Sequence, residues 1–137
     1  MVIDNNLVLS SSQGLTTSAL TDKSVDLGSA IDIGKGKQLY MVFQIITSVA
    51  AGNSGDNVIF EVRTSTTENL ATSPTTILQT TGLLGSVLTA GREPIIIPIP
   101  MGISQQFIGG YYTLSTTFTS FDVDAYITFE YPSNFGN

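Results

Sequence analysis

The sequence predicts an all-β domain, a jelly roll or β-sandwich of about eight strands. Three observations lead there. Thr (18 residues), Ser (15) and Gly (13) make a chain rich in strand and turn formers. Charged residues are only 12% of the chain, about half the usual share, so the Lys, Glu and Arg that populate helix surfaces are scarce. No window of eleven or more residues carries an apolar stripe of helical period, whereas several short segments alternate with period two.

In chain order, the first expected strand is short, 7–9. A Thr/Ser-rich stretch, 10–21, leads to the next at 24–27. Residues 38–46 form the strongest run, and its unbroken apolarity predicts burial on both faces. In 57–64 the side chains alternate: Val58, Phe60 and Val62 point one way, Glu61 and Arg63 the other. Segment 75–81 is a weaker strand. Segment 94–99 is apolar but holds Pro94 and Pro98, which places it at a sheet edge or bulge. Segment 107–117 is interrupted by Gly109-Gly110, the mark of a bulge or a close backbone approach. In 123–131, Val123, Ala125, Ile127, Phe129 and Tyr131 share one face, and Asp124, Tyr126, Thr128 and Glu130 the other. The expected loops are 32–37, 50–56, 65–74, 82–93 and 100–106, with one helical turn within 83–88.

The 137 residues suit one domain, with an N-terminal arm (1–12) and a C-terminal tail (132–137). No basic-then-apolar start is present, so no secretory signal is expected. The apolar runs 39–43 and 95–99 fall far short of the roughly 20 residues that span a bilayer.

Composition excludes several functions. The net charge is −6, and the five basic residues are scattered apart from Lys35 and Lys37. Nucleic acid and an anionic membrane are therefore not expected partners. Cys and His are both absent. That removes disulfides, thiolate metal sites, the commonest general base and the commonest transition-metal ligand. No cofactor, metal or catalytic residue is expected, and the chain reads as a non-enzyme.

The remaining motifs have plain readings. Gly34-Lys35-Gly36-Lys37 lacks the spacing and following helix of a phosphate loop and reads as a turn. Residues 52–57 hold many oxygen ligands but one carboxylate, Asp56, too few for calcium. Asp122 and Asp124 share a strand face without a basic partner and read as a charged strand end. Tyr111 and Tyr112, with Tyr126, suggest an aromatic sugar-binding platform; the alternative puts one ring of the 111–112 pair in the core and the other on a sheet face. A surface of Thr, Ser, Gly and Asn with little charge suits a domain that hides much of itself in an assembly.

Several segments, in this order and spacing, resemble the cement (decoration) proteins of tailed bacteriophages of the Bordetella-phage type. They are Asp4-Asn5-Asn6-Leu7-Val8-Leu9-Ser10, Val25-Asp26-Leu27-Gly28, Asp32-Ile33-Gly34-Lys35-Gly36, Leu39-Tyr40-Met41-Val42, Leu88-Thr89-Ala90-Gly91 and Ile97-Pro98-Ile99-Pro100. The similarity spans residues 4 to about 131. One departure is Gln105-Gln106, where an Arg-Tyr-type strand start is expected; a basic contact there is not carried over. The resemblance implies a jelly-roll virion protein, made in the host cytoplasm and bound to the outer capsid surface. It would self-associate as a homo-dimer or trimer and bridge and stabilise subunits of the major capsid protein. Candidate interface residues are Leu7, Val8 and Leu9 in the arm, Pro98 and Pro100 in the Pro-flanked strand, and Tyr111 and Tyr112. The alternative function is a carbohydrate-binding or adhesin-like β-sandwich.

Overall fold

The computed structural model describes residues 8–26, 39–68, 70, 74–99 and 107–128. Ten strand segments run in the order β1 (Val8–Gly14), β2 (Ala19–Leu20), β3 (Val25–Asp26), β4 (Leu39–Thr47), β5 (Asn57–Ser65), β6 (Thr75–Gln79), β7 (Leu83–Leu84), β8 (Ile95–Ile99), β9 (Phe107–Leu114) and β10 (Asp122–Thr128). The only helical pieces among the described residues are two 3-10 turns, Ala51–Asn53 and Gly85–Val87. All pairings are antiparallel.

One sheet has the order β1-β10-β4-β8; the other has β2-β9-β5-β6, with β3 also on β9 and β7 also on β5. Counting β2 with β3, and β6 with β7, as single interrupted strands leaves eight positions. Position one pairs with eight, two with seven, three with six and four with five. That is a chain doubled into a long ribbon. Eight also pairs with three and seven with four, which rolls the ribbon into two facing sheets. This is jelly-roll topology, and the fold class expected from alternation and composition is borne out.

The core lies between the sheets. Met41, Phe43, Val123, Ala125 and Ile127 enter from one side, and Val58, Phe60, Val62, Ile108 and Tyr112 from the other. Phe43, Phe60 and Tyr112 meet in its middle with ring centroids 5.1–5.8 Å apart, two of the three contacts edge-to-face. Strand β4 is central in its sheet, and Val42, opposite in phase to Phe43, is also fully buried. The expected burial on both faces holds at Val42 alone: Tyr40 and Gln44 are half-buried and Ile46 is 38% exposed on the outer face.

The glycine pair at 109–110 marks a close approach. The register of β9 on β5 runs through it without a shift. A Cβ on Gly110 would stand 2.9 Å from Thr21 Cγ2 and 3.1 Å from Phe43 Cε1. The Thr21 hydroxyl accepts the Gly110 N–H at 3.1 Å. Pro98 sits in β8 at the edge of its sheet, where a missing N–H breaks no inner ladder.

Three further expectations are corrected. Residues 8–12 are not an arm: β1 is paired to β10 and Leu9 is a core residue. The Ser-rich stretch continues that strand because Ser10 is buried with its hydroxyl satisfied, a partnership composition does not reveal. Residues 83–84 pair with β5 and only 85–87 form the turn expected in that loop. Residues 32–37 and 132–137 lie outside the described residues.

Candidate functional site

The outer face of the second sheet carries the most organised polar group among the described residues. Strand alternation on β5 sends Val58, Phe60 and Val62 inward, so Ile59, Glu61 and Arg63 face out. On β9, Ile108, Gly110, Tyr112 and Leu114 face in, and Tyr111 and Thr113 face out. The register sets Glu61 opposite Tyr111 and Arg63 opposite Gly109. Leu70 packs over that glycine, 2.9 Å from where a Cβ would stand. Arg63 extends along the strand, and its guanidinium carbon lies 3.7 Å from the centroid of the Tyr111 ring, a diagonal cross-strand neighbour.

Glu61 holds that arrangement. Its Oε1 accepts from Arg63 Nε (3.2 Å), Arg63 Nη2 (3.1 Å) and the Thr76 hydroxyl (3.1 Å), and its Oε2 accepts from the Thr113 hydroxyl (2.5 Å). Three strands therefore converge on one carboxylate. Glu61 is only 5% exposed although it lies on an outer face. A carboxylate so enclosed is tolerable because it is paired and hydrogen-bonded. The Arg63 side chain keeps 23% of its surface open. What this offers chemically is a rigid, flat Arg–Tyr platform, with few rotamers left to lose on docking. Arg and Tyr are also the residue types that concentrate binding energy in protein interfaces.

The candidate interface residues do not converge on one patch. Leu7 and Pro100 lie outside the described residues. Leu9 and Tyr112 are corrected to core residues: each is at most 1% exposed, and the Tyr112 hydroxyl is used internally by Ser10. Val8 and Pro98 sit on the two opposite edges of the first sheet. Tyr111 alone joins the platform. The aromatic sugar platform is not assembled, because Tyr111 faces out from one sheet, Tyr112 lies between the sheets and Tyr126 lies on the far sheet, 5% exposed.

Arg63, Glu61, Thr76 and Thr113 were missed as a site. The signal available in the sequence was an opposite-charge pair two apart on one strand face. Nothing in the sequence tells that β9 would bring Tyr111 under it.

The other polar motifs are structural. Asp124 Oδ1 accepts the Ser12 N–H at 2.6 Å. Asp56 accepts from the Asn53 side chain at 2.9 Å, and that same amide reaches the Thr117 carbonyl and the Thr119 N–H. A crevice of about 870 Å³ between Leu20–Ser24 and the loop after β5 mixes Asp22, Lys23 and Glu68 with Thr67 and Leu70. It adjoins the platform, since Leu70 packs over Gly109 and Leu20 pairs with Tyr111, and it carries no single-sign charge. Among the described residues no helix is long and apolar enough to cross a membrane.

A protein-family model, Bbp16, matches residues 9–127. No curated protein matches the chain.

Proposed function

The chain belongs to the Bbp16 family, whose name points to a Bordetella phage protein, and from that premise we propose that it is a structural, non-catalytic virion protein acting as a capsid cement. In this reading it binds the outer surface of a phage head and bridges neighbouring major capsid subunits. The observation that carries it is the Arg63–Tyr111 platform locked by Glu61 on an outer sheet face. A shell under internal pressure fails at the joints between subunits. A clamp there needs a stiff body and a preorganised contact, present in many copies, and needs no nucleophile. The absence of His and Cys from the sequence fits that demand.

The test uses heads assembled without the protein. Purified wild-type chain should bind them and raise their resistance to heat. Arg63→Ala and Tyr111→Ala should bind roughly tenfold or more weakly, as interface anchors do, with unchanged circular dichroism. Mass spectrometry of purified phage particles that found none of the chain would reject the reading outright.

A further inference from the structure

A guanidinium is a planar fork whose N–H donors are laid out along fixed edges. One edge is formed by Nε–H and one hydrogen of Nη2. Another is formed by the second hydrogen of Nη2 and one hydrogen of Nη1, which point away from the side chain in parallel. In Arg63 the first edge is spent inside the molecule: Nε and Nη2 both donate to Glu61 Oε1, at 3.2 and 3.1 Å. The second edge has no partner among the described residues. Glu61 cannot turn to fill it, because the Thr76 and Thr113 hydroxyls hold its two oxygens in place. Asp22 and Glu68 stand in the adjoining crevice and make no ion pair with Arg63.

The free edge is also aimed. The Tyr111 ring lies against the guanidinium, 3.7 Å from carbon to centroid, and closes one face of the fork. Glu61 closes its side. The plane is thus fixed from two directions, while the arginine side chain keeps 23% of its surface open. The residues that β6 and β9 set beside Glu61 and Arg63 on this face are Thr76, Gln79 and Tyr111, none of them a Lys, Arg, Asp or Glu.

We propose that this edge takes a second carboxylate, supplied by an Asp or Glu side chain on the shell surface that the domain docks on. The proposal rests on the capsid reading and adds the chemistry of the contact. Three points select that occupant. A carboxylate is the planar group whose two oxygens match two parallel N–H donors, and such charge-assisted bonds are roughly twice as strong as neutral ones. A phosphate matches the fork too, but a nucleic acid would meet a chain of net charge −6 with scattered basic residues. That same net charge opposes a generally acidic surface, so a single acid must stand where Arg63 reaches it. The contact therefore sets register and selects the partner more than it adds affinity.

The experiment uses the full-length chain and heads assembled without it. The heads are taken untreated, or with their surface carboxylates converted to neutral amides by carbodiimide and methylamine and their integrity checked by electron microscopy. Wild-type chain should bind untreated heads and bind amidated heads roughly tenfold or more weakly. Arg63→Gln should bind untreated heads as weakly as wild type binds amidated ones, and should lose little more on amidation. Arg63→Lys keeps the charge without the fork and should not restore wild-type affinity. The comparison of the two kinds of head with wild type needs no variant, so a folding defect cannot imitate it. Equal wild-type affinity for both kinds overturns the carboxylate and leaves the capsid reading standing. So does a loss on amidation that is the same size in Arg63→Gln as in wild type. Failure of wild type to bind either kind overturns the carboxylate and the capsid reading together. Capture of acidic sugars on a glycan array, with heads left unbound, does the same and moves the carboxylate to a glycan.

Discussion

The hydroxyls of Tyr112 and Ser10 lie 2.9 Å apart inside the sandwich, tying β9 of one sheet to β1 of the other. The Ser10 hydroxyl donates to Gln13 Oε1 at 2.6 Å, so the tyrosine donates to the serine. Gln13 Nε2 then donates to the Leu20 carbonyl at 2.9 Å, and Gln13 Oε1 also accepts the Asp22 N–H at 3.1 Å. One relay, running from the buried Tyr112 hydroxyl out to the half-buried Gln13, thus links the end of β1 to the chain that crosses to the second sheet. Ser10→Ala leaves a buried phenol without its acceptor and should cost about 1–3 kcal/mol, and Tyr112→Phe about 1 kcal/mol. Denaturant unfolding of both single variants and the double should show a double-variant cost smaller than the sum. Strict additivity would deny the coupling.

The same tyrosine makes stability depend on alkali. Burial raises the Tyr112 phenol far above the usual tyrosine range; the Ser10 bond opposes this and the Asp22 and Asp124 charges add to it. Burial, then Asp124, also raises Tyr126. The folded state therefore keeps protons that the unfolded chain releases above about pH 10. The stabilisation is complete below that value and is lost as pH rises beyond it, by up to about 1.4 kcal/mol per pH unit for each group. Thermal unfolding followed from pH 8 to pH 11, a span of about 3 units around the free-tyrosine value, should fall more shallowly for Tyr112→Phe. Parallel alkaline limbs for the two proteins would contradict the assignment.

Gly110 is held to glycine by its neighbours. Gly110→Ala drives a methyl against Thr21 and Phe43 and should destabilise by about 1–3 kcal/mol, the usual cost of overpacking. Gly55→Ala meets nothing within 4 Å. It should be neutral or raise stability by a few tenths of a kcal/mol, roughly the entropy gained by removing a glycine. Equal melting temperatures for the two variants would be the contrary result.

The Asp124 carboxylate supports the bent edge of β1. Asp124→Ala frees the Ser12 N–H, at a cost of about 1 kcal/mol for a bond open to solvent. Amides of β1 should exchange faster in that variant while those of β4 stay protected. Ser12→Gly relieves a left-handed φ of 47° and should be tolerated or mildly stabilising. A large loss of stability in Ser12→Gly would refute this.

Truncation separates the arm from the sandwich. Removing residues 1–10 deletes Leu9 and Ser10, both buried, and should lower stability by several kcal/mol, since a core leucine alone is worth about 2–5. Loss of head binding in that variant therefore says nothing about an arm. A chain beginning at Val8 tests the arm alone, with binding to heads as the readout.

Much of the fold was legible because strand alternation is local. In β5 and β10 every inward residue among those described was assignable from period two, and the edge position of Pro98 followed from its missing N–H. The short β2 and β7 were not, since two residues carry no period and form only because β9 and β5 are there to pair with. Ser10 was read as part of a polar stretch, because a serine's burial depends on a tyrosine 102 positions away. Of the platform, Tyr111 was legible as a candidate and the rest was not.

By itself the sequence determined what kind of chain this is: strands rather than helices, no imidazole or thiol, and little charge. Those properties follow from composition and short-range periodicity. The tertiary structure alone decided which tyrosine entered the core and which lay under Arg63. Each of those outcomes depends on register between strands far apart in the chain. A shift of one residue reverses every side chain from one face to the other, so no local pattern contains the answer.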